Sequence, residues 1–260
     1  MGKRSTRALL AGVCLALAVA GVALAKSEPP IVIVVGNLKI TANASFSPKA
    51  LPRHELTPIT LKLSAKLETL DGAHPPALRE FVLEADKNSA INAKGLPVCT
   101  AGKLQATDTR HAEQACPRAI VGEGETAVAV QFPESTPFVA TSKLLVFNGG
   151  VKGGTTTALV HAYLSSPVSA AVVTTVEVSR IHNGRYGIRA VSTIPKIAGG
   201  FGSPISFSVK IGRSFTYRGK KQGYLLAQCP DGHLAGKGIG VFDDDTRLSG
   251  SAIRRCTPTD

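Results

Sequence analysis

Ile205-Ser206-Phe207-Ser208-Val209-Lys210-Ile211-Gly212-Arg213-Ser214-Phe215-Thr216-Tyr217 decides the fold class. Its odd positions carry Ile, Phe, Val, Ile, Arg, Phe and Tyr, and its even positions Ser, Ser, Lys, Gly, Ser and Thr. Alternation sustained over this length is the period of a β-strand with one face on a core and the other in water. A helix would scatter the same apolar residues around its circumference. Arg213 is the single charge in the apolar register, so it pairs with a buried partner, marks where the strand leaves the core, or meets a ligand.

Outward from this stretch the chain reads as β throughout its second half. Thr157–Leu164 is apolar on both faces, as a central strand is. Ala171–Ser179 alternates, Asn183-Gly184 signals a hairpin, and Tyr186–Ile194 forms its return. After 205–217 come a turn at Arg218-Gly219-Lys220-Lys221 and strands over 223–229, near 234–242 and over 247–256. In the first half, Ile31–Ala42, Ile59–Ser64, Ala119–Phe132 and Leu144–Phe147 have strand character. Ala77–Ala85 fits helix or strand. Thr100–Ala115 predicts one helix, with Thr100 as its cap and Cys116-Pro117 as its end. The glycine-rich string 149–154 is the best place for any subdivision. About a dozen strands and one helix point to an antiparallel β-sandwich, jelly-roll-like, over residues 26–260.

The first 25 residues have the pattern of a secretory signal peptide. Lys3, Arg4 and Arg7 precede an apolar run, and Ala23-Leu24-Ala25 supplies a cleavage site following Ala25. The run's Ala, Gly and Val content and its A-x-A end argue against an uncleaved anchor. Val13 stands where a lipoprotein signal around Cys14 requires a small residue. Cleavage leaves 235 of the 260 residues and four cysteines, Cys99, Cys116, Cys229 and Cys256. An even count in an exported chain reads as disulfides. Spacing favours Cys99–Cys116 and Cys229–Cys256, worth about 3 and 3.5 kcal/mol in the chain-entropy model. A zinc site is the weaker reading, because C-x-x-C is missing.

Charge is lopsided. Residues 26–150 hold 13 Lys/Arg against 12 Asp/Glu, whereas residues 151–260 hold 14 against 6. A basic half attracts anionic wall polymers, anionic membrane surfaces or an acidic protein partner, and no specific nucleic-acid motif accompanies it. Arg218, Lys220 and Lys221, at a hairpin tip, are the candidate contact. Four tyrosines (Tyr163, Tyr186, Tyr217 and Tyr224) and the lack of tryptophan give thin support to carbohydrate platforms, and Tyr217 has the inward register.

Motifs that would announce catalysis are weak. His111-Ala112-Glu113 lacks the P-C-x-x-C partner of zinc deaminases, and His54-Glu55 lacks the second histidine of H-E-x-x-H. A G-x-S-x-G elbow is missing. Gly199–Gly202 and Gly236-Lys237-Gly238-Ile239-Gly240 lie between strands, so turns or bulges are expected rather than phosphate loops followed by a helix. Asp243-Asp244-Asp245 reads as a solvated turn, with calcium as the alternative. His161 shares a face with Leu159 and Tyr163 and reads as a hydrogen-bonded core residue. No cofactor, metal or catalytic set is assigned.

Six phrases together resemble an uncharacterised family of secreted, β-rich, actinobacterial-type bacterial proteins. They are residues 71–78 (DGAHPPAL), 92–99 (NAKGLPVC), 119–124 (AIVGEG), 147–150 (FNGG), 194–200 (IPKIAGG) and 216–221 (TYRGKK). The resemblance implies export and a shared fold and supplies no activity. Asp243-Asp244-Asp245-Thr246 departs from it where an Asp-Gly turn is expected. The reading that follows is an exported, non-enzymatic protein of the cell envelope or extracellular space, binding an anionic polymer or a protein through its basic half. A hydrolase with a site assembled only in the fold, and a structural envelope module, are the alternatives.

Overall fold

Alternating sequence becomes strand along almost the whole chain in the computed structural model, which describes residues 28–165 and 169–260. The leader and its cleavage site lie outside those residues. β1 (Ile31–Val35), β2 (Leu38–Ser47), β3 (Ala50–Pro52) and β4 (Thr57–Thr69) come first, then β5 (Leu78–Asp86) and β6 (Ser89–Ile91). Helices α1 (Ala101–Leu104) and α2 (Thr109–Ala115) follow. After them run β7 (Ile120–Val130), β8 (Phe138–Lys152), β9 (Thr155–Leu164), β10 (Ala170–Asn183) and β11 (Tyr186–Thr193). The chain ends with β12 (Gly202–Ile211), β13 (Ser214–Tyr217), β14 (Lys220–Gly223), β15 (Leu225–Ala227), β16 (His233–Phe242), β17 (Arg247–Arg255) and β18 (Thr257–Thr259).

Twelve strands follow one another in one sheet, ordered β1-β2-β4-β12-β7-β8-β9-β10-β11-β5-β16-β17. β7 to β11 form consecutive antiparallel hairpins. Long connections then slot β12 between β4 and β7, and β5 between β11 and β16. The sheet curls until its edges meet: a Cβ placed on Gly250 of β17 would stand 2.4 Å from Cδ1 of Ile33 in β1. The fold is thus antiparallel all-β, and its facing walls are halves of one nearly closed sheet, not the separate sheets of a jelly roll. Residues 149–154 end β8 and turn into β9, with Gly153 and Gly154 at positive φ. They form a hairpin tip within the sheet.

The stretch 205–217 divides. Phe207, Val209 and Ile211 keep the expected alternation and face the interior, but the strand breaks at Gly212 (φ 144°), and 214–217 joins a separate hairpin with 220–223. A Cβ at Gly212 would lie 2.8 Å from both the Ile59 carbonyl oxygen and the Thr60 Cα. Only glycine lets the chain pass β4 so closely. Beyond the break Arg213 donates to the Ile120 carbonyl at 2.8 Å, a structural tie that accounts for the charge. Tyr217 leaves the inward register and packs on Gly95, whose Cβ would sit 2.2 Å from the ring.

The expected helix also divides. Ala106 takes a positive φ of 57°, and Asp108 accepts from the His111 amide at 2.9 Å to cap the second helix. Thr100 makes no side-chain cap. An Asp at the N-cap satisfies an otherwise unpaired amide and meets the positive end of the helix, so the chain restarts there. The pairings Cys99–Cys116 and Cys229–Cys256 are both formed, with Cα separations of 5.7 and 6.2 Å. The first sits with Leu104, Ala112, Leu145, Phe147 and Leu159, fastening the helical pair to the outer face of β8 and β9. The second sits with Phe46, Leu51 and Leu234. It anchors the last residues, where β18 runs parallel to β3.

Candidate functional site

Enclosing the inward faces of so many strands leaves an interior that side chains do not fill. A cavity of about 380 Å³ runs between the walls. Its lining includes Phe46, Leu61, Leu63, Phe81, Leu83, Val128, Leu144, Val160, Val176, Ile188, Phe207, Val209 and Ile211. These positions follow from the period-two pattern: along each strand these lining residues are spaced two apart. Interior β-branched and aromatic side chains fill narrow barrels, whereas longer circumferences leave room for a ligand.

A second hollow, of about 150 Å³, adjoins it and shares Leu63, Phe81, Leu83, Phe207, Gly236 and Ala252 with the first. Its cause is visible in β16. Gly236, Gly238 and Gly240 stand opposite Ala85, Leu83 and Phe81 of β5, and opposite Ala252, Gly250 and Leu248 of β17. Three alternate inward positions of one strand therefore carry no side chain. Added methyls at Gly236 and Gly238 would meet nothing closer than 3.8 Å. Close packing does not require glycine at these two positions, and what the glycines leave is volume. The expectation of a turn or bulge over 236–240 is corrected: the segment lies inside a strand. Glycines spaced two apart within a strand were the sequence signal of a bare inner face. Gly199–Gly202 does fall at a turn, the short 3-10 turn Ala198–Gly200 and the start of β12.

Polar side chains in the lining are few, and Thr126, Arg254 and one Glu84 oxygen are engaged. Thr126 donates to the Ser206 carbonyl at 2.8 Å. Arg254 donates to the Ala44 carbonyl at 2.5 Å and Asn43 Oδ1 at 3.2 Å, and lies 3.5 Å from a Glu28 carboxylate oxygen. Glu84 takes Arg189 at 3.3 Å on Oε1 and faces Lys237 across the ladder, whereas its buried Oε2 has no partner. Tyr224 differs. Its side chain is 2% exposed and its hydroxyl has no hydrogen-bond partner. Burial alone pushes its pKa up to about 12, so it stays a neutral hydroxyl. A buried hydroxyl without a partner carries an uncompensated desolvation penalty of about 1–3 kcal/mol.

The other candidates lie outside the cavity. Arg218, Lys220 and Lys221 are exposed on the tip joining β13 and β14, turned by positive φ at Arg218 and Gly219. Among the described residues none of the three forms an ion pair, and the Arg218 guanidinium stacks over Tyr217, 5.4 Å from its centroid. His111 Nδ1 lies 2.7 Å from Asp108, and Glu113 pairs with Lys143 at 2.7 Å. His54 and Glu55 are exposed. Asp244 accepts from the Thr246 amide at 2.9 Å and Asp245 from Arg79 at 3.1 Å, so the acidic turn diverges rather than gathers. Among the described residues no group of His, Cys, Asp and Glu gathers as a metal site, and no histidine lines the cavity.

His161 is wholly buried on the outer face of β9, as its register implies. Its Nε2 donates to the Thr107 carbonyl at 2.7 Å, and its Nδ1 has no partner. Desolvation lowers its pKa, against smaller opposing pulls from the Thr107 carbonyl and the Asp108 charge. A depressed histidine pKa means that the unfolded chain binds the extra proton first, so stability falls as pH drops below about 6.5. Urea midpoints should therefore decline between about pH 7 and pH 5, and the decline should be shallower in His161→Gln. Identical slopes for the two proteins would remove His161 from the account.

Comparison with protein-family models, with curated proteins and with solved structures finds no match.

Proposed function

We propose that this chain is an exported, non-enzymatic binding protein whose interior holds one apolar small molecule bearing a neutral oxygen function. The observation that carries the reading is an apolar cavity of about 380 Å³ whose sparse polar lining includes Thr174, Ser192 and Tyr224, the last with a buried hydroxyl that has no partner. The volume falls within the roughly 300–1,000 Å³ of small-molecule sites, and sparse polar groups in an apolar wall are what such sites use for orientation. A carbonyl, ester or alcohol oxygen would satisfy the hydroxyl. An ionised head group would need a buried counter-charge; Arg254 already pairs with Glu28, and Glu84 pairs with Arg189 through one oxygen while the other has no partner. Export rests on the leader-like first 25 residues, the two disulfides and the resemblance to a secreted family.

Titration with N-phenyl-naphthylamine, a neutral dye that brightens on leaving water, should saturate at one site with Kd on the order of 1 μM. Tyr224→Phe should fold at least as stably and leave hydrocarbon binding unchanged. It should weaken oxygen-bearing ligands about fivefold, the worth of one hydrogen bond. Absence of saturable brightening would sink the reading.

A second reading is favoured by the exposed, unpaired cations at 218–221: contact with an anionic envelope polymer through that hairpin. Retention of the protein on dextran sulfate should fall steeply with added salt, because exposed charges are screened within about 10 Å at 0.1 M. The triple replacement of Arg218, Lys220 and Lys221 by Glu should elute markedly earlier. Salt-insensitive retention, or equal elution of the variant, excludes this contact.

A further inference from the structure

A ligand held inside a curled sheet needs a way in, and the ladder is interrupted where β1 meets β17. These are the two ends of the twelve-stranded path, and among the described residues no backbone pairing joins them. β1 is five residues long and pairs with β2 alone. What crosses the gap is side-chain contact. Ile31 and Ile33 pack on Gly250, and the Glu28 carboxylate reaches across to Arg254 at 3.5 Å and to the Arg255 amide at 2.7 Å. Every other neighbouring pair along the path would have to lose a run of backbone hydrogen bonds to part.

Apolar side chains stand on both sides of this gap. Outside, Val32 and Val34 of β1 and Ile253 of β17 are 56%, 53% and 62% exposed. Inside, Ile31, Ile33, Leu248 and Gly250 border the hollow formed by the bare face of β16, which continues into the main cavity. Exposed valines on a sheet edge are usually suppressed by charge or proline. Here they flank a gap where apolar surface outside and inside is separated by side chains alone.

We propose that the β1–β17 seam is the portal through which the apolar ligand reaches the interior, with the Glu28–Arg254 pair as its latch. The inference rests on the binding function proposed above. Opening requires β1 to swing on its ladder to β2, and such local opening sets uptake rates without altering the closed state's affinity.

The seam can be locked. Cγ1 of Ile33 lies 3.2 Å from a Cβ built on Gly250, close to the separation a disulfide imposes between one sulfur and the opposite Cβ. Ile33→Cys combined with Gly250→Cys, oxidised, should take up N-phenyl-naphthylamine at least about tenfold more slowly than either single-cysteine variant, with the same final fluorescence. Glu28→Ala, which removes the latch, should accelerate uptake in stopped flow and tests the portal independently if the double variant does not fold. Uptake by the locked protein as fast as by the single variants, or an unchanged rate in Glu28→Ala, overturns the portal. Failure of the single variants and of the unmodified protein to bind the dye overturns the cavity reading itself.

Discussion

Gly238→Val is expected to raise stability by about 2 kcal/mol and to weaken binding of an apolar dye about tenfold or more. Both effects come from one fact: an added Cβ would find nothing closer than the Phe81 ring at 3.8 Å. Glycine in mid-strand concedes roughly 0.5–1 kcal/mol in backbone entropy relative to alanine. Each further buried methyl group contributes about 0.8 kcal/mol when it enters existing space rather than creating strain. Val also suits the pleated surface between Leu83 and Gly250 that flank the position. For a domain of this size the gain corresponds to a rise in melting temperature of roughly 4–8 °C. The same atoms occupy the hollow that adjoins the main cavity, so ligand is excluded as stability rises. Calorimetry together with dye titration reads the two effects separately. A stabilised variant that binds the dye as before would show that the trough is slack packing and no part of the site.

The second large effect lies at Asp86, where Asp86→Ala should cost about 3–5 kcal/mol. Asp86 is 1% exposed and accepts from Arg185 Nε at 2.6 Å, from the Ala235 amide at 2.8 Å and from the Asn88 amide at 2.9 Å. Arg185, at the turn between β10 and β11, also holds Asp231 and the His233 carbonyl, and the carboxylates of Asp231 and Asp86 raise its pKa further. One carboxylate thus ties the end of β5, the β10–β11 turn and the start of β16 to the loop that carries Cys229. Alanine leaves two amides without acceptors in a site closed to water, and such orphaned groups account for most of the loss when one member of a buried pair is removed. Against a typical total of about 5–15 kcal/mol this is a large fraction. Urea denaturation of the purified protein measures it. A loss below about 1 kcal/mol would mean that water or the neighbouring carboxylate replaces Asp86.

The two effects differ in kind. Asp86 holds elements that the chain keeps far apart, so its loss destabilises without bearing on ligand. Gly238 sits where the fold forgoes packing, and stabilisation there is bought at the expense of binding, the exchange expected when a site is kept open.

Sequence by itself determined the class of fold and its cross-links. Period-two alternation in 205–211, 171–179 and 186–193 is a local property that survives any tertiary arrangement, and it became strand. Two cysteine pairs with short separations found each other, because a short loop loses less entropy on closing. Local signals also misled where a close approach overrode them. Gly212 broke the longest alternating run because β4 passes against it, and Asp108 restarted the helix because its carboxylate could cap there. The site was invisible for a related reason. Val160, Phe207, Leu83 and Ile188 each look like ordinary core residues, and whether their faces meet or stand apart depends on the strand count, the curl of the sheet and the bare face of β16. Tyr224 reads as one more aromatic until three dimensions bury its hydroxyl away from every donor and acceptor. The seam between β1 and β17 joins residues 31–35 to residues 247–255, and only closure of the sheet brings them side by side. Alternation is written residue by residue. A cavity, an orphaned hydroxyl and a gap in a ladder are relations among distant segments, and only the tertiary structure decides them.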